Sequence, residues 1–239
     1  MTPAPLILIP GLMCDDTVWQ PVMAGLQTAP TVSAIQVVDH GLSRSLTDMA
    51  QRILDAHVGP LQVAGHSMGG RVALEMARLA PERVLRLALL DTGHLPKPAG
   101  EAGEQERAKR LALLAVAQSQ GLRAMAHQWV QGMVHPDRLR DAALIEAILA
   151  MFERKTPAHF EAQIEALLAR PDASAVLRAW TGPLLIATGA QDTWANVAQH
   201  EAMLALAPHG RMVVWPDCGH MAMQEQPEAV LQDLLRWLA

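Results

Sequence analysis

A serine, an acid and a histidine stand in this chain where nucleophilic chemistry would need them. Gly65-His66-Ser67-Met68-Gly69 reads G-x-S-x-G, with the apolar run "LQVAG" (61–65) before it and the helical pattern "RVALEMARLA" (71–80) after it. A chain that turns at once from strand to helix strains the backbone of the residue at the turn. Neighbours two residues away on either side must then be small. Such a turn lifts a hydroxyl clear of the sheet edge at a helix N-terminus, where N–H groups favour developing negative charge. A phosphate-cradling loop is disfavoured, because no Lys-Ser/Thr pair follows.

A serine hydroxyl is a weak nucleophile at neutral pH and needs a base, which in turn needs an orienting acid. Among the ten histidines, His220 is the candidate base. It lies in "WPDCGHMAM", after the last strand-like run and before the last helical pattern. That position shares the carboxyl edge of a parallel sheet with Ser67. Asp192, in "LLIATGAQDTW", follows a buried strand and a glycine turn and is the candidate acid. Asp91, at the end of "LRLALLD", is the alternative, and Asp39 reads as a turn residue. His66 reads as a packing or positioning group, since neighbours at such a turn point apart. His94 and His159 are further candidates to face the site from a cover.

The elements that must position these residues follow from patterning. Six short apolar runs read as strands: 5–10, 31–39, 61–65, 84–91, 182–190 and 210–217. Helical patterns over 46–57 and 71–80 separate the early runs, with Ser45 as an N-cap. Short apolar strands alternating with helices predict a parallel sheet covered on both faces. From about 94 to 180 no strand is legible. The segments 103–120, 122–133, 137–155 and 157–170 all read as helices, the last opening on Thr156-Pro157 as N-cap and N1. A final helix is predicted from Pro227. The expectation is an α/β core at 1–93 and 181–239, interrupted by a helical cap at 94–180.

Composition narrows the class of function. The chain has 239 residues and a net charge of −5, and about half its residues are apolar, at 51%. That length can bury a large core. The acidic balance argues against nucleic acid and against an anionic membrane surface as partners. No signal peptide is read at "MTPAPLILIPGL", and no apolar run approaches the ~20 residues of a membrane helix. Cys14 and Cys218 lack metal-type spacing and read as reduced thiols of a cytoplasmic protein. No metal or cofactor is expected.

Four motifs together resemble the α/β-hydrolase family over nearly the whole chain. "LILIPGL" resembles its first-loop region, "GHSMGG" its nucleophile elbow, "GAQD" its acid turn and "DCGH" its histidine loop. The chain order Ser, Asp, His is also that of the family. The resemblance implies an oxyanion hole formed by the backbone N–H groups of Leu12 and Met68. Two departures stand out. Pro10-Gly11 replaces the His-Gly of many members, and the family's leading hairpin is missing, which leaves a sheet of six strand-like runs.

Family membership by itself does not decide the chemistry. Dehalogenases and epoxide hydrolases of this type use a carboxylate nucleophile, whereas this chain has Ser67. It also has no tyrosine to hold an epoxide. The reading is a serine carboxylesterase acting on small to medium acyl esters, as a monomer or homodimer. Thioester hydrolysis, C–C bond hydrolysis and perhydrolysis by the same residues are alternatives. A hydrolase-fold ligand receptor or scaffold is the non-enzymatic one. The cap carries ten basic and ten acidic residues between 98 and 180, so no basic patch is expected there. Its Met125, Trp129, Met133, Met151, Phe152 and Phe160 offer an adaptable apolar surface. His94, Trp129, Phe152 and Phe160 are the candidate substrate-binding residues.

Overall fold

The computed structural model describes residues 2–239. Six strands form one sheet in the order β2-β1-β3-β4-β5-β6, every neighbouring pair parallel. They are β1 (Ala4–Ile9), β2 (Val32–Val37), β3 (Leu61–His66), β4 (Val84–Leu90), β5 (Leu184–Gly189) and β6 (Arg211–Trp215). All six correspond to apolar runs in the sequence. The fully buried inner strands β3 and β5 are near-continuous apolar stretches, as a sheet covered on both faces requires. The edge strands β2 and β6 are partly exposed and carry polar residues such as Ser33 and Arg211.

Helices α1 (Gln20–Leu26), α2 (Leu46–Ala56) and α3 (Met68–Leu79) connect the first four strands. Ser45 caps α2 by accepting the amide of Asp48. The strand order reverses at β1, whose two neighbours are β2 and β3. At such a switch point, loops leaving the carboxyl ends diverge and open a crevice. The loop after β1 carries Leu12 and the turn after β3 carries Ser67, so the candidate residues flank it.

Between β4 and β5 the chain is helical: α4 (Gly100–Gln120), α5 (Leu122–Trp129), α6 (Ala142–Glu153), α7 (Pro157–Leu168) and α8 (Ser174–Ala179). The single helix expected over 137–155 is two elements. Pro136–Arg140 forms a 3-10 turn, and Asp141 leaves helical geometry to cap α6 through the amide of Leu144. The remainder of the chain forms α9 (Val197–Leu206), α10 (Ala222–Glu225) and α11 (Pro227–Leu238). α11 starts at the proline expected to open it. Among the described residues, no helix is long and apolar enough to cross a membrane.

Candidate active site

The turn at Ser67 has the strain that its sequence predicts. Ser67 adopts φ 55° and ψ −118°, one of four non-glycine positions with positive φ among the described residues. This left-handed backbone is costly for an L-residue and persists only where the surroundings enforce it. The enforcement is visible. Ser67 N–H donates to the Leu90 carbonyl at 2.9 Å, and the Ser67 carbonyl accepts from Thr92 Oγ1 at 2.6 Å. A Cβ on Gly65 would lie 2.3 Å from the Gly69 carbonyl oxygen, and one on Gly69 would lie 2.1 Å from that of Ile9. Only hydrogen fits at either position.

His220 reaches Ser67 from the far end of the sheet. Its Nε2 lies 2.9 Å from Ser67 Oγ, and its Nδ1 lies 2.7 Å from Asp192 Oδ2. A carboxylate can only accept, so the Nδ1–H donates to Asp192 and Nε2 is left to accept the serine proton. The other oxygen of Asp192 accepts the amides of Trp194 at 2.8 Å and Ala195 at 2.9 Å. Burial opposes the charge on Asp192, but His220 and these two amides outweigh it and hold the carboxyl below its ordinary range.

Asp91 occupies a different position. Its Oδ1 accepts the Gly189 amide at 3.0 Å, and its Oδ2 has no hydrogen-bond partner. Burial first, and then the charge of Asp192, pushes its carboxyl well above the ordinary value. It is a buried acid behind the site and makes no bond to His220. Asp39 is the turn residue expected, accepting the Gly41 amide at 3.0 Å.

Leu12 and Met68 both line the cavity over Ser67. Met68 is the first residue of α3, so its amide sits at a helix N-terminus. The Leu12 loop is pinned on both sides. His40 Nε2 donates to the Pro10 carbonyl at 2.8 Å, and the Met13 amide donates to Gln163 Oε1, from α7, at 2.8 Å. Proline at position 10 therefore leaves the loop fixed, because the contacts run through its carbonyl and through later amides. Among the described residues, neither the Leu12 nor the Met68 amide is taken up by another group.

The cavity measures about 530 Å³ and lies between the sheet edge and the helical insertion. Trp129 and Phe160 line it. His94 and Phe152 do not. His94 is buried beside a separate small void with Leu74 and Ala173. Phe152 is fully buried behind Trp129, at a ring distance of 5.4 Å. His159 completes a capping box with Thr156 at the start of α7. In each case a local or core demand takes the side chain away from the cavity. Trp194, which patterning did not single out, packs 5.0 Å from the His220 ring and 5.4 Å from the Trp129 ring. Its position two residues after Asp192 was the available signal.

Two further residues hold the histidine loop. Glu225 is buried and accepts the amides of His135, Gly219 and Met221 at 2.7–3.1 Å. Gln191 Oε1 accepts the Cys218 amide at 3.0 Å. Among the described residues no group of three or more histidine, cysteine, aspartate or glutamate side chains is arranged to hold a metal ion.

A doubly covered parallel sheet, a strained serine at a strand-to-helix turn and a histidine linked to that serine define an α/β hydrolase. The chain belongs to the alpha/beta hydrolase family, whose model matches residues 6–233. Among curated relatives, a pimeloyl-[acyl-carrier protein] methyl ester esterase of Nitrosomonas europaea is 28% identical over 232 residues, spanning 93% of this chain and 91% of that protein. Among solved structures, a thermophilic esterase from Thermogutta terrifontis superposes with a TM-score of 0.82 at 25% identity, covering 99% of this chain and 90% of that one. An enol-lactonase from Burkholderia xenovorans superposes with a TM-score of 0.86 at 18% identity, covering 100% and 92% of the two chains. At that identity the likeness speaks for the fold.

Proposed function

We propose that the protein is a serine carboxylesterase that cleaves small to medium acyl esters through an acyl-enzyme. One observation carries this reading: the continuous hydrogen-bonded line Ser67–His220–Asp192 opening on a cavity of about 530 Å³. Ser67 Oγ attacks the ester carbonyl while His220 Nε2 takes its proton. Asp192 keeps the imidazole in the required tautomer and stabilises its charged form. The amides of Leu12 and Met68 donate to the oxyanion, and fixed donors do so without reorganising. His220 then returns the proton to the departing alcohol. Water attacks the acyl-enzyme by the reverse exchange, and the acid leaves. The partner is a small-molecule ester.

Trp129, Phe160 and Trp194, with Leu113, Met133 and Leu167, form much of the apolar wall and reward methylenes until the cavity is full. The test is a series of p-nitrophenyl esters. kcat/KM should climb from acetate, peak at a short or medium chain and then fall. In the Ser67→Ala protein, kcat should drop on the order of 10⁴-fold or more with the fold intact. Retained turnover in folded Ser67→Ala protein would sink the mechanism. A profile still rising at palmitate would refute the cavity's size as the determinant.

A further inference from the structure

The helical insertion is neutral as a whole, yet its charge is not spread evenly. Arg110 of α4 and Arg170, just after α7, line the cavity together with Lys109 and with Arg71 of α3. Arg71 lies four residues after Ser67, one turn along the helix that the serine opens. Two acids also line the cavity. Glu106 is already engaged: Arg170 grips it with two bonds of 2.7 Å, and Arg110 Nε donates to it at 3.0 Å. Burial opposes its charge, but the two guanidinium groups prevail and hold it at about 2. The second acid, Asp91, is the buried carboxyl described above, whose ordinary charge burial disfavours.

Arg71 has no carboxylate partner among the described residues. Its Nη1 donates to the Leu95 carbonyl at 2.8 Å, and Arg170 Nε donates to the same carbonyl at 3.3 Å. One backbone oxygen thus sets two guanidinium groups side by side. Arg71 Nη2 lies beside Gly93, where an added Cβ would come within 3.0 Å of it, and Gly93 also lines the cavity. Burial, and next the charge of Arg170, pulls Arg71 down to about 9. Arg71 is half-buried, and the nearest carboxylate, Glu106, is already gripped by Arg170 and Arg110, so Arg71 is the guanidinium left to take an anion from a ligand. Glu106 shows how these arginines take a carboxylate: planar forks in a fixed geometry.

We propose that the cavity has an anion subsite, centred on Arg71, for a carboxylate carried by the ester substrate. The preferred substrates are then monoesters of dicarboxylic acids. The ester carbonyl lies at Ser67, the methylenes run along the apolar wall, and the free carboxylate meets Arg71. This rests on the esterase reading and deepens it by naming the substrate class.

The first experiment is turnover by the wild type. Monomethyl succinate, adipate and suberate are compared with the isosteric methyl half-amides, which differ only in charge. At the best length, kcat/KM should favour the carboxylate by about tenfold or more, the size of a charge-assisted hydrogen bond. Arg71→Gln should bring that ratio close to one, and Arg71→Lys should restore part of it. Because the readout is a ratio, a general loss of activity does not mimic it. The second experiment needs no turnover. Adipate and adipamide are titrated calorimetrically into Ser67→Ala protein, and adipate should bind about tenfold tighter or better.

Ser67-dependent hydrolysis of the half-amides with a ratio near one at every length overturns the anion subsite and leaves the esterase reading standing. Tight adipate binding without ester turnover supports the subsite and counts against the esterase reading. Equal binding of adipate and adipamide, or tighter binding of the matching phosphonate, overturns the carboxylate assignment.

Discussion

His66 Nε2 donates to the backbone carbonyl of His220 at 2.8 Å, so the residue before the nucleophile holds the residue that serves as its base. The two imidazole rings lie 5.0 Å apart. The bond ties the turn after β3 to the loop after β6 across the two intervening strands, β4 and β5. His66→Ala should loosen that loop and leave a buried carbonyl unpaired. We expect kcat to fall about ten- to a hundredfold with KM little changed, from the loss of one buried hydrogen bond. Steady-state kinetics on a p-nitrophenyl ester would decide it. An unchanged kcat in folded protein would mean that the loop is held without His66.

The two candidate acids should separate cleanly on substitution. Asp192→Asn places an amide where His220 Nδ1–H needs an acceptor, and favours the wrong tautomer. A loss on the order of 10⁴ in kcat is expected. Asp91→Asn replaces a carboxyl that makes no bond to His220 and should cost less than about tenfold. Parallel kinetics on the two variants provide the check. A larger loss in Asp91→Asn would move the acid role to the end of β4.

Glu225 should prove a stability residue of the histidine loop. Its two oxygens accept amides of Gly219 and Met221 on either side of His220, and of His135 from the helical insertion. Glu225→Gln turns an NH₂ group toward at least one of those donors. A buried mismatch of this kind costs about 1–3 kcal/mol. For a chain of this size that lowers Tm by about 2–10 °C. Thermal unfolding followed by circular dichroism measures it. A Tm within one degree of the wild type, a shift of about zero on that scale, would show that the loop tolerates the mismatch.

Stability should decline as the pH falls from about 6.5 toward 4, through buried histidines. Burial, and next the charge of His220, lowers His66 to about 3, and burial chiefly lowers His200 to about 4. His200 Nε2 accepts the Thr92 amide at 3.2 Å, a bond that a proton on Nε2 would destroy. In this window the unfolded chain binds protons that the folded chain refuses, so acid favours unfolding. Asp91 acts with the opposite sign, because its raised carboxyl stabilises the fold most at low pH and loses that contribution as the pH rises. His40 and His94, also lowered chiefly by burial, act in the same direction as His66 and His200. Tm measured from pH 7 to pH 4.5 should drop steadily, and His200→Asn should flatten the slope. A level profile in the wild type would contradict this account.

The strands, the serine turn and the line from Ser67 to Asp192 were legible in the sequence because each is written locally. Continuous apolar runs mark strands buried on both faces, and Gly65 and Gly69 mark a turn where no side chain fits. Four helices were not legible. α1 (Gln20–Leu26), α8 (Ser174–Ala179) and α10 (Ala222–Glu225) are too short to show a period, and α9 spreads its apolar residues round the whole circumference and so shows no stripe. Periodicity reports that a face is buried and is silent about its partner. That is why Phe152 and Phe160 looked alike in sequence, although one packs behind Trp129 and the other lines the cavity. Charge counting failed for the same reason: an insertion of equal positive and negative charge still gathers Arg110 and Arg170 against Arg71 of the core. Only packing between segments about a hundred residues apart in the chain, as Arg71 and Arg170 are, brings those charges to one wall, because a guanidinium taken from water needs an acceptor and the Leu95 carbonyl serves both.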